Sequence, residues 1–137
     1  MYGVYEYVVF EGGEVQVEGC EYVGKGGYCG IFVEVGKANK DKINALAHIT
    51  GGGITENLPR VLPDNLKAIV KRDSIKVLPI FEFMGKHVEL EEMYRTFNMG
   101  VGMVLVVSAE NVDAILANTD GYVIGNIATG SKCVEFI

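Results

Sequence analysis

The chain has 137 residues, of which 49% are hydrophobic and 22% charged, and its net charge is -6. This composition is typical of a globular domain and excludes the class of disordered, highly charged chains. The negative charge disfavours nucleic acid as a partner, because a phosphate backbone would be repelled at long range. We therefore expect one folded domain over residues 1–137.

The cysteine pattern and the apolar runs indicate the cellular compartment of the protein. The three cysteines form no C-x-x-C pair, which favours a reducing compartment. Residues 1–10 lack a signal-peptide pattern, and the longest strongly apolar run, Val101 to Val107, is too short to span a bilayer. These features predict a cytoplasmic protein without a membrane partner.

The first 36 residues predict a β-rich segment. Residues 4–10, 14–23 and 28–35 mix β-branched and aromatic side chains with partial alternation. Glycines separate these stretches as turns. We expect a three-stranded antiparallel meander here, followed by a mixed helix and strand region over residues 37–137.

The second region predicts alternating helices and strands in an α+β fold, with a mixed sheet and helices on one face. The apolar run Val101 to Val107 is typical of a strand buried on both faces, and Ser108 is a candidate N-cap for the following helix. The other expected elements are a helix over Lys40 to Ala47, a helical turn capped by Thr55, a strand over Lys67 to Lys71, helices beginning at Pro79 and Leu90, a strand over residues 122–128, and a closing hairpin through Thr129-Gly130-Ser131.

Three consecutive glycines lie in the stretch HITGGGITENLPR. Each glycine costs roughly 0.5 to 1 kcal/mol relative to alanine inside regular structure, so the position must need a bare backbone. Thr50-Gly51-Gly52-Gly53 could form a nest of N–H groups that binds phosphate, and a simple turn is the alternative. His48 precedes the loop, either as a packed, hydrogen-bonded residue or as a reactive one.

The stretch MYRTFNMGVGM places polar side chains immediately before the buried strand. Strand ends of this kind commonly line a ligand cleft. Arg95 could bind phosphate through its guanidinium, and Asn98 offers both a donor and an acceptor. The alternative is an arginine paired with Glu91 or Glu92 and an asparagine that caps a turn.

With the motifs ALAHITGGGITENLPRVLP and EEMYRTFNMGVGMVLVV both present, followed by YVIGNI, the chain resembles phosphoribosylformylglycinamidine cyclo-ligase, or AIR synthetase, from about Asp41 to Ile137. The resemblance implies the later part of that family's C-terminal domain. It also implies ATP and magnesium as cofactors, although no acidic magnesium motif is found in the chain. The candidate catalytic residues are His48 and Asn98, and the candidate residues for binding phosphate, nucleotide or substrate are Thr50, Gly51, Gly52, Gly53, Asn57, Arg60, Arg95, Thr96 and Gly100.

The resemblance leaves the activity of the chain open. The family carries an N-terminal domain that supplies metal ligands and much of the nucleotide site, whereas about 40 residues precede the matching segment here. One hypothesis is therefore a cyclo-ligase that needs a separate N-terminal domain chain for turnover. The other is a noncatalytic module that binds a phosphate-bearing small molecule or nucleotide. In either case we expect a homo-oligomer, most simply a dimer.

Overall fold

A computed structural model describes residues 5–9 and 41–137. The strands in this part of the chain are β1 (Tyr5–Val9), β2 (Ile43–His48), β3 (Leu66–Val70), β4 (Met103–Ser108), β5 (Tyr122–Thr129) and β6 (Val134–Phe136). The helices are α1 (Gly53–Asn57), α2 (Pro79–Met84), α3 (Leu90–Thr96) and α4 (Ala109–Leu116), with short 3-10 helices at Leu58–Val61 and Arg72–Ser74. No helix among these residues has the length and apolar character needed to cross a membrane.

The described strands form one mixed sheet in the order β2-β4-β1-β5-β3-β6. Neighbouring strands are antiparallel except β3 and β6, which are parallel. Met103 to Val107 of β4 are all buried, because β4 has a strand on each side and packed side chains on both faces. The apolar run therefore predicted this buried strand correctly.

Two hydrophobic clusters cover the two faces of β4. Successive side chains of a strand point to opposite faces. Val104 and Val106 belong to the larger cluster, together with residues of α1 and α3. Leu105 and Val107 belong to a smaller cluster, together with residues of α4. The predicted α+β class with a mixed sheet is confirmed. The expectation of helices on one face is wrong, because α1 and α3 pack on one face of β4 and α4 packs on the other.

The predicted helix over Lys40 to Ala47 is wrong, because residues 43–48 form the strand β2. β2 pairs with β4 along its length, and most of its residues alternate between a more buried and a more exposed side chain. The helical spacing of a few apolar residues is a weak local preference. The ladder of hydrogen bonds to β4, which is distant in sequence, outweighs it.

The predicted closing hairpin is also wrong, because β6 pairs with β3 and not with β5. β5 already has β1 on one edge and β3 on the other, so neither edge can accept a further strand. The chain therefore crosses beyond β3 and adds β6 in parallel to the free edge of β3. The amide of Ala68 donates to the carbonyl of Cys133 at 2.9 Å and begins this pairing.

The first strand of the predicted meander is present as β1, but its neighbours differ from the prediction. β1 lies between β4 and β5 within the main sheet and is antiparallel to both. Both edges of β1 are therefore occupied by described strands. The predicted strands over residues 14–23 and 28–35 lie outside the described residues.

Other predicted elements match the structure closely. α2 begins at Pro79, where proline is tolerated because the first N–H groups of a helix have no helical acceptor. The strand and helix predictions at β3, α3, β5 and α4 are confirmed. Ser108 occupies the N-cap position of α4 without a side-chain cap bond. Its hydroxyl oxygen instead accepts a hydrogen bond from Asn44 Nδ2 at 3.3 Å.

Candidate functional site

The glycine loop connects the end of β2 to the start of α1. Gly52 has φ of 93° and Gly53 has φ of 59°, both in the left-handed region that side chains disfavour. Thr55 does not cap this helix, contrary to the prediction, because α1 begins at Gly53 and Gly52 takes the N-cap position. The Thr55 hydroxyl instead donates to the carbonyl oxygen of Tyr94 at 3.3 Å.

The side chain of Asn57 holds the loop in this conformation. Asn57 is the buried polar residue of the described core, with 6% of its surface exposed. Its Nδ2 donates to the carbonyl oxygens of Gly53 at 2.8 Å, Gly51 at 3.1 Å and Thr50 at 3.4 Å. Its Oδ1 accepts from the Arg60 guanidinium at 3.4 Å. The amide therefore bonds the protein's own backbone, and Arg60 is exposed beside it.

The bonds to Asn57 also set the direction of the loop's N–H groups. In a trans peptide the carbonyl of one residue and the N–H of the next point in opposite directions. Because the carbonyls of Thr50, Gly51 and Gly53 face Asn57, the N–H groups of Gly51, Gly52 and Ile54 face away from it. No backbone hydrogen bond in the described part of the chain uses these three N–H groups. The loop thus presents several donors on one side.

The three glycines meet different surroundings. A Cβ built on Gly53 would collide with the carbonyl oxygens of Tyr94 and Phe97, so this glycine permits α1 to pack against the end of α3. A Cβ on Gly52 would meet the side chain of Glu56. A Cβ on Gly51 would have no atom within 4 Å. Packing therefore explains why Gly52 and Gly53 are glycines. Of the three, only Gly51 leaves open space for a ligand.

The structure places the two sequence motifs next to each other. Besides the contacts of Gly53 and Thr55 with the end of α3, the amide of Ile49 donates to the carbonyl of Gly102 at 3.0 Å. His48 pairs with Met103 in the β2–β4 ladder. The sequence did not reveal that backbone carbonyls of α3 are the groups that approach Gly53. Residues of both segments were predicted to bind a ligand, but the contact between the two segments was not predicted.

Asn98 and Gly100 form the turn that leads into β4. Asn98 Oδ1 accepts a hydrogen bond from the Gly100 amide at 3.0 Å, as in the alternative of an asparagine that stabilises a turn. Met99 and Gly100 have φ of 57° and 102°. A Cβ on Gly100 would lie 3.0 Å from the Lys76 carbonyl oxygen, so this glycine is required by packing. Asn98 Nδ2 donates no hydrogen bond within the described part of the chain.

Arg95 is exposed in the last turn of α3 and forms no ion pair with the described residues. The two acidic partners considered for it are otherwise engaged. Glu91 binds Arg72 at 2.6 Å, and Glu92 accepts a hydrogen bond from Thr96 Oγ1 at 3.0 Å. The alternative of an Arg95 pair with Glu91 or Glu92 is therefore wrong. The guanidinium is available to a ligand, whereas the Thr96 hydroxyl donates within α3.

His48 and Thr50 are both exposed, so the alternative of a packed histidine is also wrong. The Thr50 carbonyl accepts from the Gly53 amide at 3.0 Å, which closes the loop. Within the described residues, no group of three or more His, Cys, Asp or Glu side chains could hold a metal ion. Magnesium requires oxygen ligands, typically one or two carboxylates with phosphates, and the described residues do not provide such a cluster.

An aromatic and charged cluster joins α3 to β6 and to the 3-10 helix at Arg72–Ser74. The Arg72 guanidinium is 5.4 Å from the centre of the Tyr94 ring and 5.3 Å from that of Phe136, and the two rings are 5.0 Å apart. Burial raises the pKa of the Tyr94 hydroxyl above its usual 10.0, and the nearby Arg72 charge partly opposes this shift. These contacts fix α3 on the sheet and thereby position Arg95.

Together these features define an α+β protein with a mixed sheet, in which an asparagine-held glycine loop lies against the end of a helix. The chain belongs to the AIR synthase related protein family, since residues 11–136 match the model of that family's C-terminal domain. The match begins before Asp41, where the resemblance was expected to start.

Curated relatives extend this assignment. The phosphoribosylformylglycinamidine cyclo-ligase of Lachnospira eligens is 45% identical over 114 residues, covering 78% of this chain and 33% of the relative. The cyclo-ligase of Geobacter metallireducens is 46% identical over 106 residues, covering 70% of this chain and 30% of the relative. The bifunctional purine biosynthetic protein purD of Dictyostelium discoideum is 49% identical over 92 residues, covering 62% of this chain and 11% of the relative. The chain thus spans about a third of the length of the cyclo-ligases it matches.

Two solved structures share the fold. E. coli HypE, a hydrogenase maturation protein, has a TM-score of 0.62 at 15% identity. The match covers 99% of this chain and 46% of the HypE chain. Thiamine-monophosphate kinase from Stenotrophomonas maltophilia has a TM-score of 0.60 at 14% identity. The match covers 99% of this chain and 50% of the kinase chain. At such low identity the likeness concerns the fold alone.

Proposed function

We propose that this chain provides the C-terminal-domain part of a phosphoribosylformylglycinamidine cyclo-ligase in de novo purine biosynthesis. The reaction would be the ATP-dependent ring closure of formylglycinamidine ribonucleotide to aminoimidazole ribonucleotide. The chain spans about a third of the length of its cyclo-ligase relatives. Turnover would therefore also require the segment of those relatives that this chain does not match. We place the protein in the cytoplasm, like other enzymes of purine synthesis.

The observation that carries the proposal is the contact between the two motifs. The loop at residues 50–53 lies against the end of α3, so the outward N–H groups and the exposed Arg95 guanidinium belong to neighbouring segments. Backbone N–H groups and arginine are the donors that proteins use for phosphate. An anionic group of the substrate or of the nucleotide would bind on the open side of Gly51.

Each candidate residue has a distinct role in this proposal. The N–H groups of Gly51, Gly52 and Ile54 would bind phosphate oxygens, and Arg95 would neutralise their charge. Asn57, Thr96 and Gly100 would act through the backbone they hold or allow, because their contacts are internal. Asn98 Nδ2 and the exposed His48 would orient the reacting amide groups or move a proton.

ATP would transfer a phosphoryl group to the formamide oxygen and leave as ADP. An amidine nitrogen of the substrate would then attack the formyl carbon, and the C–O bond to the activated oxygen would break, so that this oxygen leaves in phosphate. Donors held in advance around the transferring group stabilise its charge without rearrangement. The loop fits this need, since Asn57 holds the carbonyls of Thr50, Gly51 and Gly53. No backbone hydrogen bond among the described residues uses the N–H groups of Gly51, Gly52 and Ile54. The described residues form no cluster of His, Cys, Asp or Glu that would hold magnesium.

A noncatalytic module that binds phosphate or nucleotide, or that serves assembly, is the second candidate function. The observation that favours it is that a Cβ at Gly52 or Gly53 would collide with neighbouring atoms. Their presence is explained by the packing of α1 alone, so the loop could persist without catalysis. Such a module would bind a phosphate-bearing small molecule and form a homodimer, but it would not close the ring with any partner.

Calorimetric titration with inorganic phosphate and with ATP tests the loop. Gly51→Val adds bulk on the open side without a clash, so affinity should fall about tenfold, equivalent to about 1.4 kcal/mol, at an unchanged melting temperature. Ser131→Val, at an exposed position between β5 and β6, is the matched control and should bind like the wild type. Equal affinity of the Gly51→Val variant would show that the loop assignment is wrong.

A turnover assay separates the two functions. The wild-type chain is tested for ATP-dependent ring closure alone and after mixing with the segment of the Lachnospira eligens enzyme that it does not match. We expect little or no turnover alone and measurable turnover in the mixture. Phosphate binding without turnover in either sample would favour the noncatalytic module.

A further inference from the structure

The carboxylate of Glu56 lies against the glycine loop. A Cβ built on Gly52 would be 2.5 Å from Glu56 Oε2 and 2.9 Å from Glu56 Cδ, so the carboxylate fills the space that a side chain at residue 52 would need. Glu56 is exposed and forms no ion pair or side-chain hydrogen bond with the described residues. An acidic group without a partner among these residues therefore stands beside the loop donors.

The surface around the loop carries groups for both signs of charge. The outward N–H groups of the loop and the exposed Arg95 guanidinium are donors, whereas Glu56 is an acceptor with a negative charge. A phosphate alone would gain from the donors and would be repelled by Glu56. A ligand that holds an acceptor oxygen and a cationic N–H group close together would satisfy both.

We infer that Glu56 is a specificity residue of the loop and that it binds the amidine group of the substrate. This inference rests on the proposed function. In formylglycinamidine ribonucleotide the formamide and the amidine are joined through a single CH₂ group, because they close a five-membered ring. Donors around the formamide oxygen therefore bring the amidine next to the loop. A protonated amidine presents planar N–H groups that match the two oxygens of a carboxylate, as a guanidinium does.

The charge of Glu56 also indicates which ligand group occupies the loop. ATP itself carries no cationic group beside its phosphates, so a neighbouring carboxylate would only weaken its binding. The ribose phosphate at the other end of the substrate has no cationic neighbour either. The reacting end of the substrate combines the oxygen that accepts the phosphoryl group with the amidine. The loop is therefore assigned to the reacting end.

Calorimetric titration of the full chain with two ribonucleotides tests the inference. One is formylglycinamidine ribonucleotide, and the other has a carboxamide in place of the amidine and is otherwise identical. Without ATP or divalent cations, the wild type should bind the amidine compound about tenfold more tightly, because only the amidine forms a charge-assisted pair with Glu56. Glu56→Gln keeps the size of the side chain and removes its charge, so this preference should disappear.

Titration with inorganic phosphate gives a second measurement. Phosphate brings no cationic group, so Glu56→Gln should increase its affinity about fivefold by removing a like charge beside the donors. Glu110→Gln is the matched control, since Glu110 is also exposed in the first turn of a helix, here α4 on the other face of the sheet. The control should keep the wild-type phosphate affinity and the wild-type preference for the amidine. Thermal unfolding checks that both variants are folded.

The outcomes separate this inference from the function on which it rests. If the wild type binds phosphate but does not distinguish the two ribonucleotides, or if Glu56→Gln keeps the preference, the inference is overturned and the loop function stands. If Glu56→Gln strengthens the binding of both ribonucleotides in the same proportion, Glu56 only repels anions and the inference is again overturned. If the wild type binds neither phosphate nor either ribonucleotide, the loop function and the inference both fail.

Discussion

The backbone of Gly53 packs directly against the carbonyl oxygen of Tyr94, with no room for a side chain between α1 and α3. The Phe97 carbonyl oxygen would lie 2.7 Å from a Cβ at the same position. This contact brings the glycine motif and the strand-end motif together. It makes one glycine of the loop a packing residue, while the open side of the loop is at Gly51.

Gly53→Ala should therefore destabilise the protein. The added methyl group meets two carbonyl oxygens, and φ of 59° disfavours any side chain. We expect the free energy of unfolding in urea to fall by about 2 to 3 kcal/mol. Gly51→Ala is the control, because its Cβ would meet open space, and it should change stability by no more than about 0.5 kcal/mol. Equal stability of the two variants would contradict the packing role.

Asn57→Ala should also destabilise the protein, because it removes the donor shared by three buried or half-buried carbonyls. Leaving such groups without partners costs about 1 to 3 kcal/mol. Asn118→Ala removes a similar bond, to the carbonyl of Ala114 at 2.8 Å, but at an exposed position where water replaces it. Urea unfolding of both variants measures the difference. Similar losses would indicate that Asn57 does not hold the loop.

The sequence was sufficient for elements that are determined by local chemistry. A continuous apolar run identified β4, and proline marked the first residue of α2, because its fixed φ and missing N–H suit a helix start. The two motifs also indicated the family, and the match of residues 11–136 to the family model confirms it. The contact between the two motifs was not predicted.

The sequence was insufficient where distant strands decide the structure. Residues 43–48 have no strong strand pattern and become β2 only because β4 offers a free edge. β6 pairs with β3 because β5 has no free edge, a fact that no turn residue encodes. The role of Asn57 was also hidden. Its side chain was proposed to bind a ligand, but its Nδ2 bonds carbonyls that only the folded loop brings together.

Stability should depend on Tyr94 at alkaline pH. Burial raises the pKa of its hydroxyl above 10.0, so the unfolded chain releases this proton at a lower pH than the folded chain. The stabilising contribution is complete below the unfolded pKa and decreases as the pH rises beyond it. Between about pH 9 and about pH 11, wild-type stability should fall more steeply than that of Tyr94→Phe. Parallel curves in urea unfolding would show that the hydroxyl is not desolvated.

The last prediction compares two arginines near α3. Arg95 is exposed and unpaired among the described residues, so Arg95→Met should lower phosphate affinity about tenfold while stability changes by no more than about 0.5 kcal/mol. Arg72 lies against Tyr94 and Phe136 and binds Glu91, so Arg72→Met should lose about 1 to 2 kcal/mol of stability and keep its phosphate affinity.

Calorimetry and urea unfolding on the same preparations measure both quantities for these two variants. Both changes remove a guanidinium and keep an apolar stem of similar length, so the general loss of a positive charge is the same. A difference between them must then come from where each arginine lies. If Arg95→Met destabilised the fold and left phosphate affinity intact, Arg95 would be structural and the binding side of the loop would lie elsewhere.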